Sequence, residues 1–169
     1  EFPFDINVGG EQITVTAIYD DAFDDFSDTQ VDTWGNADIG GAWSNTGSGT
    51  AADYDKTSGL GTHTHTAANQ LHTSALLDTT LPDLDVLGDI QTAALSTGNS
   101  QYAGLTARFT TFDNFYWARL EFLTTGVIEL EIFKRVGGAQ SQVGTTFTTA
   151  LTHPADTSYR NRFRLTGTR

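Results

Sequence analysis

The chain has 169 residues, no cysteine, and 9 Lys and Arg against 21 Asp and Glu, which give a formal net charge of −12. This length suits one domain whose core can fold without disulfides, and the absence of cysteine excludes disulfides and thiolate metal sites. The negative charge disfavours nucleic acid and acidic membranes as partners, and no apolar run approaches the roughly 20 residues that insertion into a bilayer requires.

The first predicted element is a β-hairpin at the N-terminus. Apolar residues alternate with polar ones over residues 4–8 and 13–17, and Gly9-Gly10 lies between the two runs. A glycine pair supplies the positive φ angles that a tight hairpin turn needs. We assign residues 1–20 to this hairpin, interpreted as the end of a preceding domain, and residues 21–169 to the main module.

The next stretch, residues 23–60, combines aromatic residues with many glycines. Trp34 and Trp43 stand among turn-forming residues, and the density of glycine argues against a helix. We predict short strands at residues 42–44 and 51–54. The two tryptophans are predicted to pack in an aromatic corner of the fold, in preference to contacting a ligand.

Strand signals continue to the end of the chain. They lie at residues 62–77, 84–95, 102–110, 115–123, 127–136, 139–149 and 158–166. Short strands separated by turn residues, without a helical period, predict an all-β fold built as an antiparallel β-sandwich. In the last strand Arg160, Arg162 and Arg164 alternate with apolar residues, as in a half-buried strand. Because this pattern is still present at Thr166, we expect the native polypeptide to continue beyond Arg169 with a further strand.

Exposed aromatic side chains are the candidate ligand-binding groups. Sugars stack their C–H faces on flat rings, and rigid rings lose little entropy when they bind. Over residues 115–123, alternation groups Trp117 with Arg119 on the more exposed face. We therefore select Trp117, Tyr102, Tyr54 and Arg119 as candidate ligand-binding residues. For each aromatic residue the competing interpretation is packing in the core.

Two groups of residues are candidate metal ligands. Asp24, Asp25 and Asp28 offer carboxylate oxygens to calcium, although a solvated acidic loop is the commoner role of such residues. His63 and His65 would share one face of a strand, and with His72 they could ligate zinc or copper. A polar strand face is the favoured interpretation of the histidines.

Glu129 and Glu131 are the residues that raise the question of catalysis. Paired carboxylates on one strand face perform glycoside hydrolysis, but the neighbouring Leu130 and Phe133 leave the catalytic pattern incomplete. Surface glutamates facing arginines on the next strand explain them adequately. We therefore predict no enzymatic activity and keep a divergent glycoside hydrolase as a third hypothesis.

Several segments together carry a family resemblance. They are DDFSD at residues 24–28, WGNADIGGAW at 34–43, ADYDKTSGLG at 52–61, YAGLTARF at 102–109, YWARLEF at 116–122 and YRNRFRLTG at 159–167. This set resembles the concanavalin A-like (lectin or laminin-G type) module in tail proteins of phages of actinobacteria.

The resemblance implies a jelly-roll β-sandwich located in a phage tail or a similar extracellular protein. Its expected activity is non-catalytic binding of cell-envelope polysaccharide, as an adhesin, with calcium as the candidate cofactor. Further expected partners are other copies of the chain, as a homotrimer, and neighbouring tail proteins. The alternative that the resemblance leaves open is a structural or assembly domain of the tail without a ligand.

Overall fold

The computed structural model describes residues 2–8, 11–17, 21–76 and 83–167, the first two ranges as backbone only. Within these ranges lie thirteen strands and one short 3₁₀ turn, and every strand pairing is antiparallel. The predicted all-β, antiparallel class is therefore confirmed. No helix in the described part of the chain is long and apolar enough to cross a membrane.

The chain forms two compact units, Glu1–Thr79 and Thr80–Arg169, and each is described by itself. The strands of the first unit are β1 (Phe2–Val8), β2 (Glu11–Ala17), β3 (Trp43–Gly47), β4 (Tyr54–Thr57), β5 (Leu60–His63) and β6 (His72–Leu76). They pair as β1 with β2, β3 with β6 and β4 with β5. Val8 lies opposite Glu11 in the first pair, and the predicted Gly9-Gly10 turn between them falls outside the described residues.

Two predicted strands of the first unit are corrected by the structure. Residues Ala51–Asp53 form a 3₁₀ turn and not a strand, because the Asp53 carboxylate accepts the backbone N–H of Thr50 at 2.7 Å and closes the turn. The predicted strand over residues 62–77 is interrupted between His63 and His72. There the Gln70 side-chain oxygen accepts the backbone N–H groups of Thr66 and Ala67, so these donors bond to a side chain instead of a neighbouring strand.

The first unit is held together by an aromatic cluster around a buried ion pair. The rings of Phe26, Trp34 and Trp43 contact one another with centroids 5.1–6.0 Å apart. Lys56 is fully buried, and its Nζ lies 2.9 Å from Asp24 Oδ2. Burial acts to lower the pKa of Lys56, but its hydrogen bonds to Asp24 and Asp28 outweigh burial and raise it. The ammonium group therefore stays charged inside this cluster.

The strands of the second unit are β7 (Leu84–Ile90), β8 (Gln101–Thr111), β9 (Asn114–Phe122), β10 (Val127–Val136), β11 (Ala139–Gln142), β12 (Phe147–Thr152) and β13 (Tyr159–Leu165). Strands β8, β9 and β10 are neighbours, and both β11 and β12 pair with β10. Strands β7 and β13 form a separate pair. Apolar side chains join the two sheets, since Ile90 of β7 packs with Phe122 and Ile128, and Phe163 of β13 packs with Ala107 and Ala118.

Strand β13 shows the alternation that its sequence predicts. Asn161 and Phe163 are buried, whereas the arginines that alternate with them are exposed. These are Arg160, Arg162 and Arg164. Arg160 binds Asp89 through two hydrogen bonds of 2.8 Å, and Arg162 binds Asp85 in the same bidentate way. These hydrogen bonds lower the pKa values of both aspartates. The outer surface of this strand pair is therefore a ladder of ion pairs.

His153 provides a pH-dependent contribution to the stability of the second unit. It is buried against the ring of Phe122 at 4.3 Å, and its Nε2 lies 2.6 Å from Thr92 Oγ1. Burial lowers its pKa below the ordinary value of 6.5. Because the unfolded chain then takes up a proton more readily than the native protein, the stabilisation is complete above pH 6.5 and declines as the pH falls below it.

We expect the free energy of unfolding of the wild type to fall more steeply than that of His153→Gln between pH 7.5 and pH 5. Urea unfolding of both proteins across this range measures the difference, which other titrating groups do not affect because both proteins share them. If the free energy of unfolding has the same pH dependence in both proteins, His153 does not make the pH-dependent contribution.

Candidate functional site

One face of the larger sheet in the second unit gathers aromatic and charged side chains. Residues directly opposed on antiparallel strands share a face, and the register pairs Trp117 with Phe133, Arg119 with both Gly104 and Glu131, and Glu121 with both Tyr102 and Glu129. We call this surface the outer face. It comprises Tyr102, Gly104, Trp117, Arg119, Glu121, Glu129, Glu131 and Phe133.

The Arg119 guanidinium is the centre of the outer face. Its carbon lies 4.2 Å from the ring centroids of Tyr102 and Phe133 and 5.0 Å from that of Trp117. Its Nε donates to Glu131 Oε2 at 2.7 Å. Cation–π attraction and a charge-assisted hydrogen bond thus hold Arg119 among three aromatic rings. The rings are fixed relative to one another, which reduces the entropy lost when they bind a ligand.

Gly104 provides the space that the Trp117 indole occupies. A Cβ atom at this position would lie 2.5 Å from Trp117 Nε1 and would also collide with the carbonyl oxygen of Ala118. The second collision involves backbone, which cannot turn aside as a flexible side chain can. The glycine therefore allows the indole to lie across β8.

Polar groups border the aromatic rings. Tyr102 is 44% exposed, and its hydroxyl donates to Glu121 Oε1 at 3.0 Å. Partial burial, and then the bond to Glu121, raise the pKa of Tyr102 above its ordinary value of 10.0, so the hydroxyl keeps its proton at neutral pH. Glu129 accepts from Thr148 Oγ1 at 2.7 Å. Hydroxyl and carboxylate groups are thus available at the edge of the ring cluster.

The two glutamates considered for catalysis are both engaged by neighbours. Glu131 is buried and accepts from Arg119 Nε and, at 2.9 Å, from Thr146 Oγ1. Both carboxylate oxygens of Glu131 therefore accept hydrogen bonds from neighbouring side chains. Glu129 is the partner of Thr148. The arrangement is that of a structural network on the sheet surface.

Of the four candidate ligand-binding residues, Tyr54 is the one that does not belong to the second unit. It belongs to the first unit, is only 3% exposed, and donates its hydroxyl to the carbonyl oxygen of Thr46 at 2.7 Å. Burial raises its pKa. The structure thus brings Trp117, Tyr102 and Arg119 together and places Tyr54 in the interior of the first unit, where it lines a cleft.

The first unit also contains a half-open cleft of about 340 Å³ beside Tyr54. Its lining includes Asp32, Asn45 and Thr50 as polar groups and Trp43 as an aromatic wall. Trp43 is held in place by the hydrogen bond from its Nε1 to Asp24 Oδ2 at 2.6 Å. The cleft offers two aromatic side chains, Trp43 and Tyr54, whereas the outer face offers three rings around one guanidinium.

The three aspartates considered as calcium ligands are only partly brought together. Carboxylate oxygens of Asp24, Asp25 and Asp38 all lie within 4.8 Å of one another. Asp28 does not belong to this group, because its Oδ1 pairs with Lys56 Nζ at 2.5 Å. The same ammonium binds Asp24 and supplies the positive charge there. Calcium binding stays a prediction, with Asp38 in the place that the sequence assigned to Asp28.

Comparison with known proteins identifies no relative of this chain. No protein-family model, curated protein or solved structure matches the chain.

Proposed function

We propose that the protein is a non-catalytic carbohydrate-binding module and that the outer face is its saccharide site. The observation that carries this proposal is the convergence of Trp117, Tyr102 and Arg119 on one sheet face. Tyr102 is exposed, the other two are half-buried, and the Arg119 guanidinium contacts both rings. In keeping with the sequence resemblance, we further propose a concanavalin A-like jelly roll in a phage tail or a similar extracellular protein. The ligand class is then cell-envelope polysaccharide.

The contacts of the outer face suit a sugar ring. The rings of Trp117 and Tyr102 offer flat apolar surface on which the C–H groups of a pyranose stack. The carboxylates of Glu121 and Glu129 accept hydrogen bonds from sugar hydroxyls, and the Tyr102 hydroxyl offers a further polar contact. Such a surface is shallow and prearranged, which suits the binding of a long polymer at many equivalent positions along its length.

The test is a glycan array that includes host envelope polysaccharides, with a matched pair of variants. Trp117→Ala removes an outer-face ring, and Phe147→Ala removes an exposed ring whose partner Leu130 shows that it lies on the opposite side of the sheet. We expect Trp117→Ala to weaken binding by about tenfold or more, which corresponds to roughly 1.4 kcal/mol. Phe147→Ala should bind as the wild type does.

Two results would refute the saccharide site. The first is the absence of binding by the wild type to any polysaccharide on the array. The second is equal binding by Trp117→Ala and the wild type while circular dichroism shows both to be folded.

An assembly role is the second candidate, and it rests on a different observation. Val136, Phe147 and Leu151 are large apolar side chains that are more than half exposed in the second unit. Exposed apolar side chains mark a surface that contacts other protein chains where they form one contiguous patch. The partner would be another copy of the chain, as in a homotrimer, or a neighbouring tail protein. A trimer in light scattering that Phe147→Asp dissociates, together with a blank glycan array, would favour this role.

The third hypothesis, a divergent glycoside hydrolase, predicts a different readout. It requires release of reducing sugar that is lost in Glu129→Gln. The carbohydrate-binding proposal expects no such release from either protein.

A further inference from the structure

Three histidines and an aspartate meet in the first unit, whereas the outer face belongs to the second unit. The ring centroids of His65 and His72 are 4.3 Å apart, and those of His63 and His72 are 6.0 Å apart. The Asp53 carboxylate is close enough to both His65 and His72 for their charges to influence it. We call His65, His72 and Asp53 the histidine cluster, with His63 as its neighbour.

His72 is the residue whose surroundings call for an explanation. Its side chain is buried, with 7% of the residue exposed, and neither of its ring nitrogens has a hydrogen-bond partner among the residues that the structure describes. Buried nitrogens of native proteins are nearly always bonded to protein, to ordered water or to an ion. Imidazole nitrogen is also the commonest metal ligand among protein side chains. Unpaired nitrogens at this position therefore point to a bound species.

Gly49 shows that a second ligand atom lies close to His72. A Cβ atom built on Gly49 would be 2.5 Å from His72 Nε2 and 2.9 Å from Asp53 Oδ2. The nitrogen and the carboxylate oxygen thus border the same small space, which the glycine leaves open. His65 is exposed and its ring lies next to that of His72, so a second imidazole is close to the nitrogen and the carboxylate that border this space.

We propose that the histidine cluster binds one divalent zinc ion, or a transition ion of similar preference, through His72, His65 and Asp53. Two imidazoles and one carboxylate are a ligand set that zinc accepts, with water in the fourth position. The ligand atoms do not yet lie within coordinating distance of a common centre. His65 is exposed, so rotation of its side chain completes the set without disturbing the core.

His63 has a positioning role in this proposal. Its Nε2 lies 2.8 Å from Ser74 Oγ, and its ring stacks on Trp34 at 4.8 Å. The Ser74 hydroxyl donates to Asn45 Oδ1, so it accepts from His63, whose proton therefore resides on Nε2. This bond fixes the His63 ring beside His72 and leaves the ligation to the other residues.

The test is isothermal titration calorimetry of the protein without a polyhistidine tag, using zinc chloride and calcium chloride. We expect saturable binding of one zinc ion per chain. The heat of calcium addition should be the same for the wild type and the histidine variants, because calcium prefers oxygen ligands. His65→Gln and His72→Phe should each weaken zinc binding by about 100-fold or more, since each removes a ligand.

Two controls keep the proposal open to refutation. His72→Phe preserves a buried ring, and its thermal unfolding without metal shows whether it folds. His153→Gln removes the histidine of the other unit and should bind zinc as the wild type does. The proposal is overturned if the wild type shows no saturable zinc binding. It is also overturned if folded His65→Gln and folded His72→Phe bind zinc as tightly as the wild type does. Zinc binding by Trp117→Ala should be unchanged, which separates this inference from the saccharide proposal.

Discussion

Replacement of Lys56 by methionine is expected to lower the free energy of unfolding by about 3–5 kcal/mol, the usual effect of removing one partner of a buried ion pair. Lys56 is fully buried, and the side chain of its partner Asp24 is only 2% exposed. In Lys56→Met the Asp24 carboxylate would remain in the interior without its cation. Urea unfolding followed by tryptophan fluorescence measures the loss.

A double variant tests whether the unpaired Asp24 charge causes the loss of stability in Lys56→Met. Asp24→Asn in the Lys56→Met background removes the buried charge and keeps an oxygen that can accept from Trp43 Nε1, whose bond to Asp24 measures 2.6 Å. We expect the double variant to recover part of the lost stability. If Lys56→Met loses no more than ~1 kcal/mol, the level of an exposed pair, the pair is not the central support of the first unit.

Replacement of Arg119 by methionine is expected to have a similarly large effect on the second unit and also to abolish saccharide binding. Glu131 is buried and would lose its cation, which again costs about 3–5 kcal/mol. The rings of Tyr102, Trp117 and Phe133 would lose the guanidinium that lies among them. Urea unfolding and the glycan array give the two readouts.

The double variant Arg119→Met with Glu131→Gln separates stability from binding. Without the buried negative charge, the protein should regain much of its stability, whereas binding should stay weak because the rings are no longer held in place. Recovery of full binding together with stability would show that Arg119 has no role at the saccharide site beyond folding.

The bounds and burial pattern of a strand were predictable from the sequence where apolar and polar residues alternate regularly. The bounds of β10 match the predicted residues 127–136, and the burial pattern of β13 follows the alternation of its arginines. Side chains on a strand alternate strictly, so one buried face suffices to identify the other. The turn at Ala51–Asp53 was missed, because its signal is a capping box formed by Thr50 and Asp53 and not an alternation of apolar residues.

The outer face was predictable in part for the same reason. Alternation along β9 assigns Trp117 and Arg119 to one face, but it carries no information on strand register. Phe133 and Gly104 were therefore missed, since they join the face only through the pairing of β10 and β8 with β9. The burial of Tyr54 in the first unit was likewise invisible, because it follows from contacts between segments that are distant in sequence.

The ladder of ion pairs on β7 and β13 has a consequence for long-range attraction. Most of the positive charge that the structure describes is already matched by a neighbouring carboxylate, so little of it acts beyond the roughly 8 Å over which physiological salt screens a charge. Because the protein has a net charge of −12, its electrostatic potential repels an approaching ligand that is anionic. Association with acidic polymers should therefore accelerate as salt is added, whereas capture of uncharged polymers should proceed at the same rate in dilute and concentrated buffers.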